Sequence, residues 1–233
     1  MDARKYGRTY HFPFSPGTTS DDRIKYDYWH CVEKMPAIIN TEKLDGENNC
    51  LNKYGVFARS HAAPTTSPWT VKLREHWQLL KRDLGELEFF GENLYAIHSI
   101  EYKRLEHYYY VFGIRENEQW LSWEEVCFYA ALFDLPTVPV LTIRKNDGSL
   151  KQDDFEREVL GLSDEESLLE SLDAYTGKIC TREGIVSRNI NGYPVTDLCE
   201  NVFKYVRKGH VKTDAHWTRN WRRAPLWFEQ LNK

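Results

Sequence analysis

The sequence predicts an α+β fold in which helices and strands follow one another without regular alternation. Segments rich in β-branched and aromatic residues at 87–90, 108–114 and 202–206 read as strands, whereas 70–84 and 123–133 place apolar residues at helical spacing. A doubly wound α/β fold would instead alternate one strand with one helix. With 233 residues and 41% hydrophobic content, the chain can form one sizeable core, so one domain is expected.

The first quarter of the chain is expected to form a loop, a helix and two strands. Proline, glycine and hydroxyl residues at 8–23 predict the loop, and Ser20 is a candidate N-cap for a helix that ends at Trp29. Residues 37–46 and 54–60 contain β-branched or aromatic residues broken by Asp-Gly and Tyr-Gly, which predicts two strands flanking a turn. Lys43 would then lie at a strand end.

The second half of the chain continues this mixed pattern. We expect a strand at 137–143, an acidic helix over 153–173 and a short strand at 184–188. The acidic run is interpreted as a solvated helix face, as most charge runs are. The chain ends in a basic segment rich in tryptophan, from Lys204 to Arg223.

Bulk composition limits the possible functions. The formal net charge of -4 argues against a protein that coats nucleic acid by bulk charge, but it allows a local basic groove. The cysteines lie far apart without a CxxC pair, so neither a zinc site nor a disulfide framework is predicted; they are Cys31, Cys50, Cys127, Cys180 and Cys199. Without a signal-like start or a long apolar run, a cytoplasmic protein with no membrane contact is expected.

Lys43 is the first candidate for chemistry, because it directly precedes Leu-Asp-Gly. An amine is nucleophilic only when neutral, so a catalytic lysine needs its pKa lowered from about 10.4 by burial or by neighbouring cations. Asp45 and Gly46 predict a tight turn in which the glycine would let a phosphate approach the backbone. The other interpretation of this turn is an ordinary hairpin.

Five further motifs follow KLDG along the chain, and their order supports a catalytic interpretation of Lys43. They are FARSH with Arg59, FFGENL with Glu92, YYVFGI with Phe112, REGIVSR with Glu183 and FKYVRKGHV with Lys204. This ordered series, spanning most of the chain from Thr41 to Val211, resembles the covalent nucleotidyltransferase superfamily and, within it, the ATP-dependent RNA ligases of the small phage type. The resemblance implies a nucleotidyltransferase (adenylation) domain of antiparallel sheets flanked by helices over residues 1–211. Residues 212–233 would form a short segment that is not a separate domain.

The resemblance implies roles for the residues that hold the nucleotide. Lys43 would attack the α-phosphate of ATP, and Glu42 would accept a hydrogen bond from the adenine amino group. Arg59 would contact a phosphate, Glu92 would lie near the ribose, and Phe112 would stack on the purine. Outside this family pattern, Arg59 is a surface arginine, Glu92 a helix cap and Phe112 a core residue.

The resemblance also implies a divalent cation, Mg²⁺ or Mn²⁺. Glu183 would bind the cation, and Asn48 would help position metal-bound water. Lys204 would draw charge from the α-phosphate. Many relatives carry a second lysine two residues later, but this chain does not, so Arg207 and Lys208 are both candidates for the second cation. His61, His98 and His210 are interpreted as structural.

The end of the chain has two interpretations. It is either an RNA-binding segment, in which cations contact phosphates and indoles stack on bases, or a terminal helix whose tryptophans dock on the domain. The cations involved are Lys208, Lys212, Arg219, Arg222 and Arg223, interleaved with Trp217, Trp221 and Trp227. After Val211 too few residues remain for the oligonucleotide-binding barrel of DNA ligases and capping guanylyltransferases, which favours an RNA ligase.

The function that follows from the resemblance is ATP-dependent joining of RNA ends during RNA repair. The substrates would be a 5'-phosphate and a 3'-hydroxyl, joined through a lysyl-AMP enzyme and an RNA-adenylate, with a possible end-healing partner enzyme. The alternatives are another covalent nucleotidyltransferase, either a DNA ligase or a capping guanylyltransferase, and a non-catalytic protein that binds RNA ends.

Overall fold

The computed structural model of the chain describes residues 6–59, 62–209 and 220–231. Its strands are β1 (Tyr10–His11), β2 (Ala37–Lys43), β3 (Glu47–Asn52), β4 (Gly55–Ala58), β5 (Leu87–Asn93), β6 (Ile100–Tyr102), β7 (Tyr109–Glu116), β8 (Gln119–Trp120), β9 (Val140–Lys145), β10 (Ser171–Asp173), β11 (Gly184–Asn189), β12 (Tyr193–Pro194) and β13 (Val202–Val206). Its helices are α1 (Tyr28–Val32), α2 (Val71–Leu80), α3 (Trp123–Leu132), α4 (Gln152–Ser163), α5 (Leu198–Asn201) and α6 (Trp227–Gln230).

Two sheets organise the molecule. The first has the strand order β1-β13-β11-β2-β9, and the second has the order β12-β8-β7-β5-β3-β4. Strands β1 and β13 pair in parallel, whereas the other strand pairs of the two sheets are antiparallel. The α+β prediction is therefore confirmed.

Hydrophobic packing explains why these sheets hold together. Helices α2 and α3 pack beside β4 and β7, and the largest apolar cluster fills this side of the molecule around Phe89 and Leu51. A second cluster lies between the first sheet and helices α1 and α4, where Phe12, Phe155 and Phe203 are fully buried. Burying such side chains contributes about 1.5–3 kcal/mol each to folding.

The turn after Lys43 carries the chain from the first sheet to the second. Strand β2 ends at Lys43, and β3 begins at Glu47 in the other sheet. The predicted pair of strands at 37–60 is therefore wrong in number, since three strands form. The residues ENNCLN of β3 carry no strand signal because asparagine is rare in strands. Here Asn49 is buried and its amide is satisfied, donating to Glu47 and accepting from Asn93.

The predicted helix from Ser20 to Trp29 is also wrong, because helix α1 starts only at Tyr28. The side chain of Asp22 accepts hydrogen bonds from the backbone and hydroxyl of Thr19, which closes a turn. Beyond it, Lys25 donates its backbone N–H to the carbonyl of His11. Pairing with β1 thus replaces the helical hydrogen bonds of this segment.

The predicted acidic helix over 153–173 is shorter than expected. Helix α4 ends at Ser163, and residues Ser171–Asp173 form strand β10 instead. Arg182 is fully buried and donates to the carbonyls of Leu162 and Glu166, which holds the chain in a loop after the helix. Helix α4 is not only a solvated face, since Phe155 packs in the core.

The other predicted elements agree with the structure within a few residues. Helix α3 begins with a capping box, in which Ser122 and Glu125 exchange side-chain and backbone hydrogen bonds. Strands β5, β7, β11 and β13 also form where buried β-branched and aromatic residues predicted them.

Candidate active site

A cavity of about 430 Å³ opens where the two sheets meet at the end of β2. Six sequence-predicted residues line it alongside the candidate nucleophile Lys43, namely Glu42, Asn48, Arg59, Glu92, Phe112 and Lys204. These residues come from β2, β3, β5, β7, β13 and the segment after β4. The fold therefore brings together side chains that are up to 162 positions apart in the chain, from Glu42 to Lys204.

Lys43 pairs with the buried carboxylate of Glu183, which is not itself among the residues that line the cavity. Its Nζ lies 2.7 Å from both carboxylate oxygens of Glu183, and Gly184 next to Glu183 pairs with Lys43 across β2 and β11. Burial lowers the pKa of Lys43, but the charges of Glu183 and Glu92 raise it by more, so its pKa lies above the ordinary value. In this arrangement the carboxylates favour the charged ammonium form of Lys43, so neutralisation of the amine by neighbouring cations stays a prediction.

Glu92 supplies a second acidic group at the same place. Its Oε1 accepts the backbone N–H of Gly46 at 3.1 Å. Burial raises the pKa of Glu92 to about 8, against the opposing effect of the Lys43 charge. Glu92 thus contacts the turn that follows the nucleophile.

Glu42 is almost completely buried at 1% exposure. Its Oε2 accepts the backbone N–H of Leu168 at 3.2 Å, while its Oε1 has no hydrogen-bond partner among the described residues. Burial raises the pKa of this carboxyl above its usual range. A buried acceptor without a partner costs free energy, so this oxygen is suited to a donor group on a ligand.

Two further residues of the KLDG motif, Asp45 and Gly46, have structural contacts that the sequence did not predict. Asp45 accepts the backbone N–H groups of Ser99 at 2.8 Å and Ile100 at 2.9 Å through one carboxylate oxygen. A Cβ on Gly46 would lie 2.6 Å from the carbonyl oxygen of Asn93. The glycine is therefore required by the close approach of β5, a different reason from the predicted access for a phosphate.

Two further cations border the cavity. The Lys204 ammonium lies 3.4 Å from an oxygen of Asp22, and its side chain is 17% exposed. Burial and the charge of Lys43 lower the pKa of Lys204, and Asp22 opposes this shift. Arg59 is exposed at the rim, directly after β4.

Not every predicted residue reaches the cavity. The Nε of Arg207 donates to the carbonyl of Arg182 at 3.1 Å, and neither Arg207 nor Lys208 is among the residues that line the cavity. Arg188 supplies a cation there instead. The alternation of side chains along β11 puts Arg188 on the same face as Val186, so a period-two reading of EGIVSR could have found it.

Arg188 ties the cavity wall together. Its guanidinium donates to the carbonyl of Phe112 and to the hydroxyl of Thr41, and it lies 5.3 Å from the ring centre of Trp123. Burial lowers its pKa. Arg188 therefore fixes β7, which carries Phe112, relative to β2.

The structure adds three lining residues for which the sequence offered no local signal, namely Tyr6, Thr9 and His98. The ring of Tyr6 contacts the ring of Phe112 edge-on at 5.4 Å. His98 lies in the loop whose backbone is bound by Asp45. His61 and His210 lie outside the described residues.

Of the residues predicted to bind a divalent cation, Asn48 lines the cavity, whereas Glu183 does not line it and pairs with Lys43. The described residues contain no group of three or more His, Cys, Asp or Glu side chains that could hold a metal ion. Magnesium needs only one or two carboxylates, because it keeps most of its water. Glu183 can supply a carboxylate, and the buried Oδ1 of Asn48 has no hydrogen-bond partner in the part of the chain that is described.

The predicted RNA-binding cations divide into different environments. Arg223 is engaged by Tyr108 and Glu229 at 2.8 Å each, whereas Arg222 is 63% exposed and lies 3.7 Å from Glu101. Lys208 is exposed. Arg219, Lys212 and Trp217 lie outside the described residues.

Within the described ranges, no helix is both long and apolar enough to cross a membrane.

Comparison with known proteins gives the family. The RNA ligase family model matches residues 36–206, while a search of curated proteins finds no match. Solved structures with the same fold include a Naegleria gruberi RNA ligase variant with ATP and Mn, with 18% identity over 90% of this chain and 62% of that chain and a TM-score of 0.51. A putative ATP-dependent DNA ligase from Aquifex aeolicus matches with 15% identity over 87% of this chain and 50% of that chain, with a TM-score of 0.50.

The chain thus spans between half and about three-fifths of the length of these two proteins. At such identities the structural matches establish the fold, and the family model, which covers most of the chain, establishes the relationship. This chain belongs to the RNA ligase family.

Proposed function

We propose that this chain is an ATP-dependent RNA ligase that joins a 5'-phosphate to a 3'-hydroxyl through a covalent lysyl-AMP. The observation that carries the proposal is that Lys43, Glu92 and the cation Lys204 line one cavity of nucleotide size, and that the Lys43 amine pairs with Glu183. Membership of the RNA ligase family supports the same reaction.

In the first step, the amine of Lys43 forms a phosphorus–nitrogen bond to the α-phosphate of ATP, and the bond to pyrophosphate breaks. The amine must lose its proton beforehand. Because Glu183 stabilises the ammonium form, the reactive amine forms only when the Glu183 carboxylate is engaged elsewhere. Lys204 and Arg59 would then stabilise negative charge on the phosphates.

A divalent cation bound by Glu183, near Asn48, would neutralise phosphate charge and stabilise the pyrophosphate leaving group. Side chains of the protein would recognise the adenine base and the ribose. Glu42 would accept from the adenine amino group, Phe112 would stack on the base, and Glu92 would contact the ribose. The Naegleria gruberi structure contains ATP and Mn, which supports this choice of ligands.

The AMP would then pass to the RNA 5'-phosphate, and attack by the 3'-hydroxyl would join the ends and release AMP. We assign this chemistry to residues 1–211 and propose that Lys208, Arg219, Arg222 and Arg223 contact RNA. RNA repair in the cytoplasm fits the free cysteines Cys31, Cys50, Cys127, Cys180 and Cys199, and an end-healing enzyme would supply the required ends.

The test is incubation with ATP labelled at the α-phosphate and magnesium, without RNA. The wild-type protein should become labelled through an acid-labile bond, and Lys43→Ala should abolish this labelling while the protein stays folded. Lys53→Ala is the matched control, since Lys53 is a partly exposed lysine in the β3–β4 turn that pairs with Glu86, and its labelling should equal the wild type. Undiminished labelling of Lys43→Ala would remove Lys43 as the nucleophile.

DNA joining is the second candidate, because the Aquifex aeolicus match is a putative DNA ligase. Nicked duplexes that differ only in the sugar of the broken strand separate the two functions. Sealing of the RNA strand but not the DNA strand supports the proposal, and the reverse preference contradicts it. Absence of any labelled protein would favour a non-catalytic role in binding RNA ends.

A further inference from the structure

The loop between β1 and helix α1 is fixed against the strand that carries Lys204. Phe12 donates its backbone N–H to the carbonyl of Lys204 at 3.0 Å, and Gly17 donates to the carbonyl of Val206 at 2.9 Å. Ser15 accepts the backbone N–H of Val206 at 2.9 Å. These contacts give the loop a defined position beside β13.

Asp22 lies in the second half of this loop, and its two carboxylate oxygens have different partners. One oxygen accepts from the backbone and the hydroxyl of Thr19, both at 3.0 Å. The other lies 3.4 Å from the ammonium of Lys204 and 3.1 Å from Nε2 of His11. The His11 contact is close but does not have hydrogen-bond geometry.

Lys204 needs such a partner because of its surroundings. It is mostly buried, and the charges that face it include two cations, Lys43 from β2 and Arg59 after β4. His11 faces it from β1 and Asp22 from the loop between β1 and helix α1, and its cross-strand partner on β11, Val186, is uncharged. Burial and Lys43 lower the pKa of Lys204, and Asp22 is the carboxylate that opposes them.

We propose that Asp22 is a positioning residue for the first reaction step, because its carboxylate holds the ammonium group of Lys204 at the cavity wall where the α-phosphate would lie. Asp22 is not among the residues that line the cavity, so it acts through Lys204 and not on the nucleotide directly. This inference rests on the proposed function, and it makes the loop between β1 and helix α1 part of the adenylylation machinery.

The test compares Asp22→Asn, which removes the charge and keeps the shape, with Asp21→Asn, which changes an exposed neighbour. The rate of lysyl-AMP formation at saturating ATP should fall roughly tenfold or more in Asp22→Asn at neutral pH, which corresponds to the loss of a single ion-pair contact to a charged group. The alkaline limb of the pH profile should move to lower pH, because Lys204 then loses its proton more readily. Asp21→Asn should keep the wild-type rate and profile.

Two further variants separate positioning from folding. In a Lys204→Ala background, Asp22→Asn should cause no additional loss, because its effect requires the ammonium. Thr19→Val removes the hydroxyl contact to the Asp22 carboxylate but keeps its charge. This variant should lower the rate of lysyl-AMP formation less than Asp22→Asn does and leave the alkaline limb in place. If circular dichroism shows that Asp22→Asn is unfolded, Thr19→Val becomes the deciding variant, and a wild-type rate in it would overturn the proposal.

The outcomes distinguish this proposal from the proposed function. If the wild type forms no labelled adduct, the function itself fails and the role of Asp22 fails with it. If the wild type is labelled and folded Asp22→Asn matches it in rate and pH profile, the positioning role alone is overturned. An equal loss in the Lys204→Ala background would also overturn it, because Asp22 would then act by another route.

Discussion

Glu42 illustrates how a single buried atom can define base choice. Its Oε1 has no partner within the described ranges, and guanine carries a carbonyl where adenine carries the amino group that Glu42 would bind. A buried carboxylate oxygen facing the guanine carbonyl would be repelled, so Glu42 would disfavour guanine because its oxygen would lack a donor.

We expect Glu42→Gln to reduce the preference for ATP over GTP in lysyl-AMP or lysyl-GMP formation. A hydrogen bond to a charged group is worth about 1.5–3 kcal/mol, so the ratio should fall roughly 10- to 100-fold. Competition between the two labelled nucleotides measures it. Glu47→Gln, which changes another carboxylate of the cavity lining, should keep the ratio; equal base preference in wild type and Glu42→Gln would contradict the assignment.

His11 gives a pH-dependent contribution to stability at the residue scale. Burial and the charge of Lys204 lower the pKa of His11 to about 4, below its ordinary value of 6.5. Between these two values the unfolded chain binds a proton that the folded protein does not, so stability falls as pH decreases through this window.

Chemical denaturation of the wild type between about pH 7 and pH 4 should show this loss, of up to about 3 kcal/mol. His11→Gln should have a flatter dependence in the same window. His30→Gln is the control, because His30 on helix α1 is 66% exposed, and it should retain the wild-type dependence. A wild-type slope in His11→Gln would show that other groups cause the acid sensitivity.

At the scale of elements, the turn between β2 and β3 links catalysis to packing. Asp45 binds the backbone of the loop at 99–100, and Gly46 lets β5 approach the turn. Glu92, on β5, also accepts the N–H of Gly46. The position of Lys43 therefore depends on contacts to two elements that are distant in the chain.

Gly46→Ala should destabilise the protein by about 1–3 kcal/mol, because its Cβ would collide with the backbone of Asn93. Urea denaturation measures the change. Gly161→Ala is the matched control, since Gly161 lies within helix α4 and a Cβ added there would have no neighbouring atom within 4 Å. That variant should be more stable by about 0.5–1 kcal/mol. An unchanged free energy of unfolding in Gly46→Ala would show that β5 can shift without cost.

At the scale of the whole molecule, residues 220–231 dock on the domain. Ile97 donates its backbone N–H to the carbonyl of Arg222, Ala224 donates to Tyr95, and the ring of Trp221 lies 5.8 Å from that of Tyr95. This favours the docked interpretation for the described part of the segment. The side chain of Arg222 stays 63% exposed in this docked segment.

Removing residues 220–233 should lower the melting temperature and also slow lysyl-AMP formation, because the loop at 95–100 would lose its partner next to Asp45. Differential scanning fluorimetry and the labelling assay measure the two effects. Arg222→Ala should spare both and instead flatten the salt dependence of RNA binding by roughly 0.7 in the log-log slope, if it contacts one phosphate. Truncation without any effect on labelling would separate this segment from the active site.

The sequence by itself determined the fold class and the order of the motifs that predict the site. Lys43 at a strand end, Phe112 in a buried strand and the strands β11 and β13 around Glu183 and Lys204 follow from local patterns, because each depends on neighbours within a few positions. Lysyl-AMP chemistry would also need particular residue types, namely a nucleophilic lysine, carboxylates and cations, and these residue types made the ordered motifs recognisable.

Only the tertiary structure decided which residues meet. The asparagine-rich strand β3 forms because Asn49 finds partners across the sheet, and no helix starts at Ser20 because Asp22 is used in a turn and faces Lys204, 182 positions away. Arg188 enters the cavity, whereas Arg207 does not line it. Such outcomes depend on burial and on contacts between distant segments, whose free energy no local pattern of residues contains.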